Sequence, residues 1–222
     1  MKEWKGFGDK MKIELEQVLP MEIEQRSFEI ITEELGSRIL DEEKAPIIKR
    51  VIHTTADFEY ADTLTFSENV VEKALEALKR GASIVTDTQM AKAGINKKVL
   101  QRYGGEVFCF MSDEDIAKTA KEKGTTRATA SMDKASLMNK EFIFAIGNAP
   151  TALVRLYELM EEKKLNPALI IGVPVGFVNV VQSKELIIES GCPHIVARGR
   201  KGGSNVAAAI CNALLYMLDK DR

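Results

Sequence analysis

Apolar residues recur at spacings of three and four near the start of the chain. Ile23, Ser27, Ile30, Ile31, Leu35 and Ile39 form one stripe, which predicts a helix opening near Pro20. A shorter helix from Pro46 carries Ile47, Ile48, Val51 and Ile52 and is expected to end near His53. From there strands and helices alternate. Leu64–Phe66 reads as a strand. Ser67 reads as the cap of a helix holding Val70, Val71, Ala74, Leu75 and Leu78, which stops at Gly81. Strands are predicted at Ser83–Thr86 and Val107–Met111, followed by a helix over Asp113–Lys123. The second half repeats the rhythm more plainly. Strands at Phe142–Ile146, Leu169–Gly172 and His194–Ala197 are each followed by a helix, over Thr151–Lys164, Ser183–Ile188 and Asn205–Leu218.

Continuous apolar strands separated by amphipathic helices predict an α/β fold, a mainly parallel sheet with helices on both faces. No linker rich in Pro, Gly or Ser, no low-complexity tract and no repeat divides the chain, so residues 1–222 are expected to form a single domain. In such sheets ligands bind at the carboxyl ends of the strands. The polar loops leaving those ends are Thr86-Asp87-Thr88, Gly147-Asn148-Ala149-Pro150-Thr151 and the Gly199–Asn205 stretch GRKGGSN.

Composition narrows the chemistry. The 222 residues hold 31 Lys+Arg against 33 Asp+Glu, a formal charge of −2, which argues against a protein built to neutralise nucleic-acid backbones. Three cysteines without a CxxC pair and two histidines exclude a disulfide framework or a multi-zinc scaffold, and no resident metal is expected. Cys109 and Cys211 lie in apolar settings and read as small buried hydrophobes. The charged opening MKEWKGFGDKMKIELEQ lacks the apolar stretch of a secretory signal, and the Ala168–Val178 run is too short and too broken to span a bilayer. A cytoplasmic protein without membrane partners is the expectation.

The loops carry the candidate chemistry. GRKGGSN opens a helix, where free N–H groups and the dipole favour an anion, and Arg200 and Lys201 add charge. It lacks the Gly-Lys-Ser/Thr order of a nucleotide P-loop, and a solvated glycine-rich turn would look the same. GNAPT has similar geometry, with Asn148 tolerant of unusual dihedrals, or it is a plain strand-to-helix turn. Thr86, Asp87, Thr88 and Gln89 read as a hydrogen-bonding rim or a helix cap. His53 shares a helix face with Arg50. The helix C-terminus favours its protonated form, Arg50 opposes it, and Asp57 or Glu59 could support it, so His53 reads either as a proton donor or as a structural cap. His194 reads as structural. Arg26 and Arg127 are surface charges, or members of a set of Arg and Thr groups suited to a ligand with many carboxylates.

Six segments in order, EIEQRSFEII, RVIHTTADFEY, TDTQMAKAGI, IGNAPTAL, PALIIGVPVGFVNVVQSKE and GRKGGSNVAAAICNAL, together resemble the precorrin-8X (cobalt-precorrin-8) methylmutase family of vitamin B12 biosynthesis. The likeness runs from about Glu22 to Leu214. It implies an isomerase that moves a methyl group from C-11 to C-12 of a corrin precursor, an α/β homodimer with active sites near the subunit interface, and a corrinoid substrate with no other cofactor. It further implies that His53 is the essential histidine, and that Ser27, Arg50, Thr54, Thr86, Thr88, Arg127, Lys201, Gly202, Gly203 and Ser204 hold substrate. Two other readings compete: a corrinoid carrier without turnover and a nucleotide-dependent transferase. The missing phosphate-binding fingerprints disfavour the transferase.

Overall fold

The computed structural model describes residues 16–219; the opening 1–15, expected to carry no targeting segment, lie outside the described residues. The chain divides into two compact units between Gly36 and Ser37.

The described part of the first unit is built on α1 (Ile23–Leu35). The chain turns at Pro20, where the Glu22 N–H reaches the Leu19 carbonyl at 2.8 Å. The helix ends at Gly36, whose φ of 59° suits a glycine. Ile31 and Leu35 are buried, but Ile39, expected on the same stripe, lies past this stop and is 99% exposed.

The second unit contains the remaining elements. They are α2 (Ala45–Thr55), α3 (Tyr60–Thr63), β1 (Leu64–Phe66), α4 (Val70–Lys79), β2 (Ser83–Thr86), α5 (Gln89–Gly94), α6 (Lys97–Arg102) and β3 (Val107–Phe108). These are followed by α7 (Glu114–Glu122), α8 (Arg127–Ser136), β4 (Phe142–Ile146), α9 (Pro150–Glu161), β5 (Leu169–Gly172), α10 (Val180–Glu189), β6 (His194–Ala197) and α11 (Ser204–Leu218). The strands form one sheet in the order β1-β6-β5-β4-β2-β3. All pairs are parallel except β1 with β6, where Leu64 faces Ala197. The mainly parallel sheet is therefore as predicted, with one antiparallel edge strand.

In-register pairing places Val85, Phe144 and Ile170 on one face and Ile84, Ile143 and Ile171 on the other. The first face packs on Ile116, Met132, Leu153, Leu156 and Ile187, which come from α7 to α10. On the other side α11 lies against β4 and β5 and packs along α2, α4 and α5. Every one of these strand residues is at most 1% exposed. Each such aliphatic or aromatic side chain contributes roughly 1.5–3 kcal/mol by leaving water.

Several expectations shift. Ser67 does not cap α4, whose N-cap is Asn69; its Oγ instead accepts the His194 N–H at 2.9 Å, tying the end of β1 to β6. The strand from Val107 stops at Phe108, because β2 turns away after Thr86 and the Thr86 hydroxyl takes the Phe108 carbonyl. α10 begins three residues before Ser183, at Val180 behind a left-handed Asn179. Helices α3, α5, α6 and α8 carry no stripe of large apolar residues. The buried side of α8 consists of Ala128, Ala130, Ser131, Met132 and Ala135. Among the described residues no helix is long and apolar enough to cross a membrane.

Candidate functional site

The winding of the sheet reverses at β2, which has β3 on one side and β4, the next strand in the chain, on the other. A doubly wound sheet opens a crevice at that point, at the carboxyl ends of the strands. Here the crevice is closed from within. The wholly buried Asp87 carboxylate accepts the N–H groups of Gly147 at 2.9 Å and of Asn148 and Ala149 at 2.8 and 2.6 Å. These donors lead into the N-terminus of α9, so an internal carboxylate occupies the anion position that the GNAPT turn offers. Burial pushes the Asp87 carboxyl up, and the three donors oppose that. Of Thr86, Asp87, Thr88 and Gln89, expected as a hydrogen-bonding rim or a helix cap, the first two are thus core, Thr88 is the cap of α5 and Gln89 is exposed. Asn148, a residue type tolerant of unusual dihedrals, is not among the residues with positive φ. Thr86 is fully buried and its hydroxyl is shared between the Thr88 and Phe108 carbonyls, which removes it from the ligand-facing set. Thr88 caps α5 through the Ala91 N–H and bonds Ser204 Oγ at 2.7 Å, joining the loops after β2 and β6.

The GRKGGS loop is held at several points. Gly203 N–H donates to the Val173 carbonyl at 2.8 Å, and Gly176 N–H to the Arg200 carbonyl at 3.1 Å. A Cβ on Gly202 would lie 2.1 Å from the Val173 oxygen, so only glycine lets the loop press onto the end of β5. Beneath the loop, Lys184 of α10 is completely buried, and its Nζ donates to the Gly199 and Lys201 carbonyls, both at 2.8 Å. Burial pushes this ammonium down to about 8, with Glu185 pulling the other way. On the outer side Lys201 Nζ meets Asp57 at 2.5 Å and Glu59 at 2.8 Å. Those bonds hold Lys201 above its usual range and Asp57 below its own. Arg200 lies over the exposed Phe177 ring at 5.4 Å.

His53 is exposed in the last turn of α2, which continues two residues further than expected, to Thr55. Arg50, one turn earlier, stacks on the Tyr216 ring of α11 at 5.2 Å, and the Thr54 hydroxyl returns to the Arg50 carbonyl. Asp57 and Glu59, candidates for supporting a protonated His53, are engaged by Lys201. That pairing ties the segment following His53 to the GRKGGS loop. Arg127 opens α8 behind the cap Thr126, whose hydroxyl bonds Thr151 of α9 at 3.0 Å. This places Arg127 at the carboxyl end of β4. Neither Arg127 nor Arg200 has a carboxylate partner among the described residues.

The structure therefore gathers Thr88, Lys201, Gly202, Gly203 and Ser204 in one loop cluster, with His53, Arg50 and Thr54 on the adjoining α2. Ser27 belongs to the first unit, where its hydroxyl bonds the Ile23 carbonyl within α1. Arg26 is a surface charge, paired with Glu16, Glu29 and Glu33. Two hollows of about 350 and 420 Å³ are lined by residues of this unit, and none of the predicted site residues lines them. His194 is structural: it is buried, pushed down by that burial, and bonded through Nδ1 to the Cys192 carbonyl. Cys109 and Cys211 are buried, and burial pushes the Cys211 thiol up to about 12. Among the described residues no group of three or more His, Cys, Asp or Glu is arranged to hold a metal ion.

Sequence reasoning missed Lys184 and the Asp57–Lys201–Glu59 cluster. Lys184 stands four residues after Val180 and three before Ile187, on the apolar face of its helix, and a lysine in such a place is a detectable signal.

Comparison with known proteins accords with this architecture. A model of the precorrin-8X methylmutase family matches residues 22–217. The cobalt-precorrin-8 methylmutase of Salmonella typhimurium is 46% identical over 205 residues, covering 90% of this chain and 96% of the relative. That of Priestia megaterium is 44% identical over 202 residues, covering 91% and 90%. The crystal structure of precorrin-8X methylmutase from Thermus thermophilus superposes with a TM-score of 0.81 at 36% identity, covering 89% of this chain and 97% of that one.

Proposed function

The chain belongs to the precorrin-8X methylmutase family and is an isomerase of cobalamin biosynthesis; we propose that it moves a methyl group from C-11 to C-12 of precorrin-8X or cobalt-precorrin-8. The product would be hydrogenobyrinic acid, or cobyrinic acid when the ring already carries cobalt. Such a 1,5-shift within a conjugated macrocycle breaks and forms one C–C bond in the same molecule. It requires no methyl donor and no net redox change, so the proposal includes no cofactor.

The observation that carries the catalytic assignment is the place of His53. It is an exposed imidazole in the last turn of α2, beside a segment tied by Lys201 to the anion-ready loop. His53 would protonate or hydrogen-bond a ring position, bias the π-system toward the migrated isomer, and stabilise charge as it develops. The acetate and propionate groups of the ring would be held by Arg50, Thr54, Thr88, Arg127, Lys201, Gly202, Gly203 and Ser204. Fixing the macrocycle relative to the imidazole supplies part of the rate. The whole chain is proposed to act as one methylmutase domain, in a cytoplasmic homodimer.

Purified protein mixed with the methylmutase substrate and followed by its visible spectrum tests this reading. Wild type should convert the spectrum over repeated turnovers, and a stoichiometric, reversible change would mark a carrier instead. His53→Ala should lower turnover by about 10²–10⁴-fold, with product binding retained within a few-fold. Wild-type turnover by that variant would remove His53 from the mechanism.

A further inference from the structure

The loop leaving β5 supplies none of the groups assigned to the substrate, yet its composition is unusual for a surface. Val175, Phe177 and Val178 are 49%, 78% and 79% exposed, three large apolar side chains within four positions. Elsewhere in the second unit the exposed large apolar residues, Ile39, Met90 and Leu137, stand singly in the sequence. Single ones are ordinary, whereas a contiguous group marks a surface that a ligand or partner covers. The loop is anchored on both sides. The Val173 N–H donates to the Ile146 carbonyl at 2.9 Å, and the Val173 carbonyl accepts the Gly203 N–H at 2.8 Å. Gly176 N–H donates to the Arg200 carbonyl at 3.1 Å, and the buried Val180 then opens α10. Because β5 and β6 are adjacent and parallel, this loop and GRKGGS leave the sheet side by side at the carboxyl ends.

Arg200 lies over the Phe177 ring at 5.4 Å and faces no carboxylate among the described residues, so the apolar surface borders a cation. A corrin is a disc with apolar conjugated faces and carboxylates on its rim, and it needs those two kinds of surface next to each other. The three side chains offer roughly 300 Å² of apolar surface. That is short of the about 800 Å² per partner of a stable protein interface, and it suits one face of a macrocycle. We propose that Phe177 and Val178 are substrate-contacting residues that seat one apolar face of the corrin beside the GRKGGS loop. This rests on the corrinoid reading of the site.

The test uses full-length protein and the metal-free corrin hydrogenobyrinic acid as probe, with binding followed by its visible spectrum. Phe177→Ser should weaken binding about tenfold, as loss of a half-covered aromatic side chain requires. Phe177→Leu, which keeps most of the apolar area but loses the stacking of Arg200, should stay within about threefold. Unchanged binding by Phe177→Ser, or equal loss in both variants, overturns the proposal. Sedimentation of wild type and Phe177→Ser at the assay concentration should give the same oligomeric state. Dissociation of the variant would assign this face to a second copy of the chain and overturn the proposal. In wild type, the Val178 methyl protons should show nuclear Overhauser contacts to the methyl groups of bound hydrogenobyrinic acid. Their absence overturns the proposal, whether or not the variants fold. A wild type that does not bind hydrogenobyrinic acid removes the corrinoid reading itself, whereas binding that Phe177→Ser preserves removes only the role of this loop.

Discussion

Asp87→Asn tests the claim that an internal carboxylate closes the switch point of the sheet. In the native protein Oδ1 accepts the Gly147 N–H, and Oδ2 accepts those of Asn148 and Ala149. Asparagine has one acceptor oxygen, so it can face two of these donors as a neutral group while its NH₂ meets the third. Hydrogen bonds to a charged acceptor contribute roughly 1.5–3 kcal/mol each, against about 1 for neutral ones. One bond lost and two weakened sum to roughly 3–5 kcal/mol. Relief of the buried charge returns part of this, leaving a loss of about 2–3 kcal/mol. For a chain of this size that lowers Tm by roughly 5–10 °C. Urea unfolding of wild type and variant, with unchanged m-value, reads the loss directly. If the two midpoints correspond to stabilities within about 0.5 kcal/mol, the three N–H groups do not depend on the carboxylate and the reasoning fails.

Three further outcomes follow from the same geometry. Gly202→Ala places a methyl 2.1 Å from the Val173 oxygen, so the loop must lift and KM for the corrinoid should rise at least tenfold while the far-UV spectrum is kept; an unchanged KM contradicts the close packing. If Lys201 is chiefly a strut to the segment after His53, Asp57→Asn should raise KM as Lys201→Met does, and the double variant should be no worse than either; a lower KM for Asp57→Asn would mean that Lys201 is released to bind substrate. Lys184 is pushed down to about 8, with Glu185 alone opposing, so between pH 8 and the unfolded value near 10.5 the unfolded chain holds more protons and this lysine's contribution to stability rises with pH. The stability of wild type relative to Lys184→Met should grow by about 1.5 kcal/mol between pH 8 and 9.5, and parallel urea-midpoint curves would show that the ammonium is not depressed.

The strands and the sheet order's parallel character were legible because buried β-strands are continuous apolar runs, and β2, β4, β5 and β6 begin and end at the residues the pattern predicts. Short helices such as α5 and α8 were not, since alanine and serine carry their buried sides and leave no stripe to count. In the candidate site, glycine spacing and helix starts pointed correctly to the GRKGGS loop as a strand-end loop. The same signals also pointed to GNAPT, where the anion is supplied by the protein itself. Nothing local to GNAPT reveals this, because Asp87 is sixty residues away and meets the turn only through the β2–β4 pairing. The pairing of Lys201 was hidden for a similar reason: a basic residue in a glycine-rich loop shows no local sign of its acidic partners, which arrive from the turn after α2.

These cases share one physical lesson about a chain whose formal charge is only −2. For the proposed polycarboxylate substrate, what counts is not the total of 31 basic residues but whether the cations at the strand ends already face carboxylates. Arg26, Arg80, Arg155 and Arg198 each face carboxylates of their own, and Lys201 faces two. Arg127 and Arg200, both at the carboxyl ends of parallel strands, face none among the described residues. The buried Lys184 adds a charge that no carboxylate at bonding distance cancels. Cations in these places set the field where a ligand enters, because nearby counter-charges do not neutralise them and the sheet beneath is apolar. A nearly neutral protein can thus leave cations at its strand ends that face no carboxylate of their own.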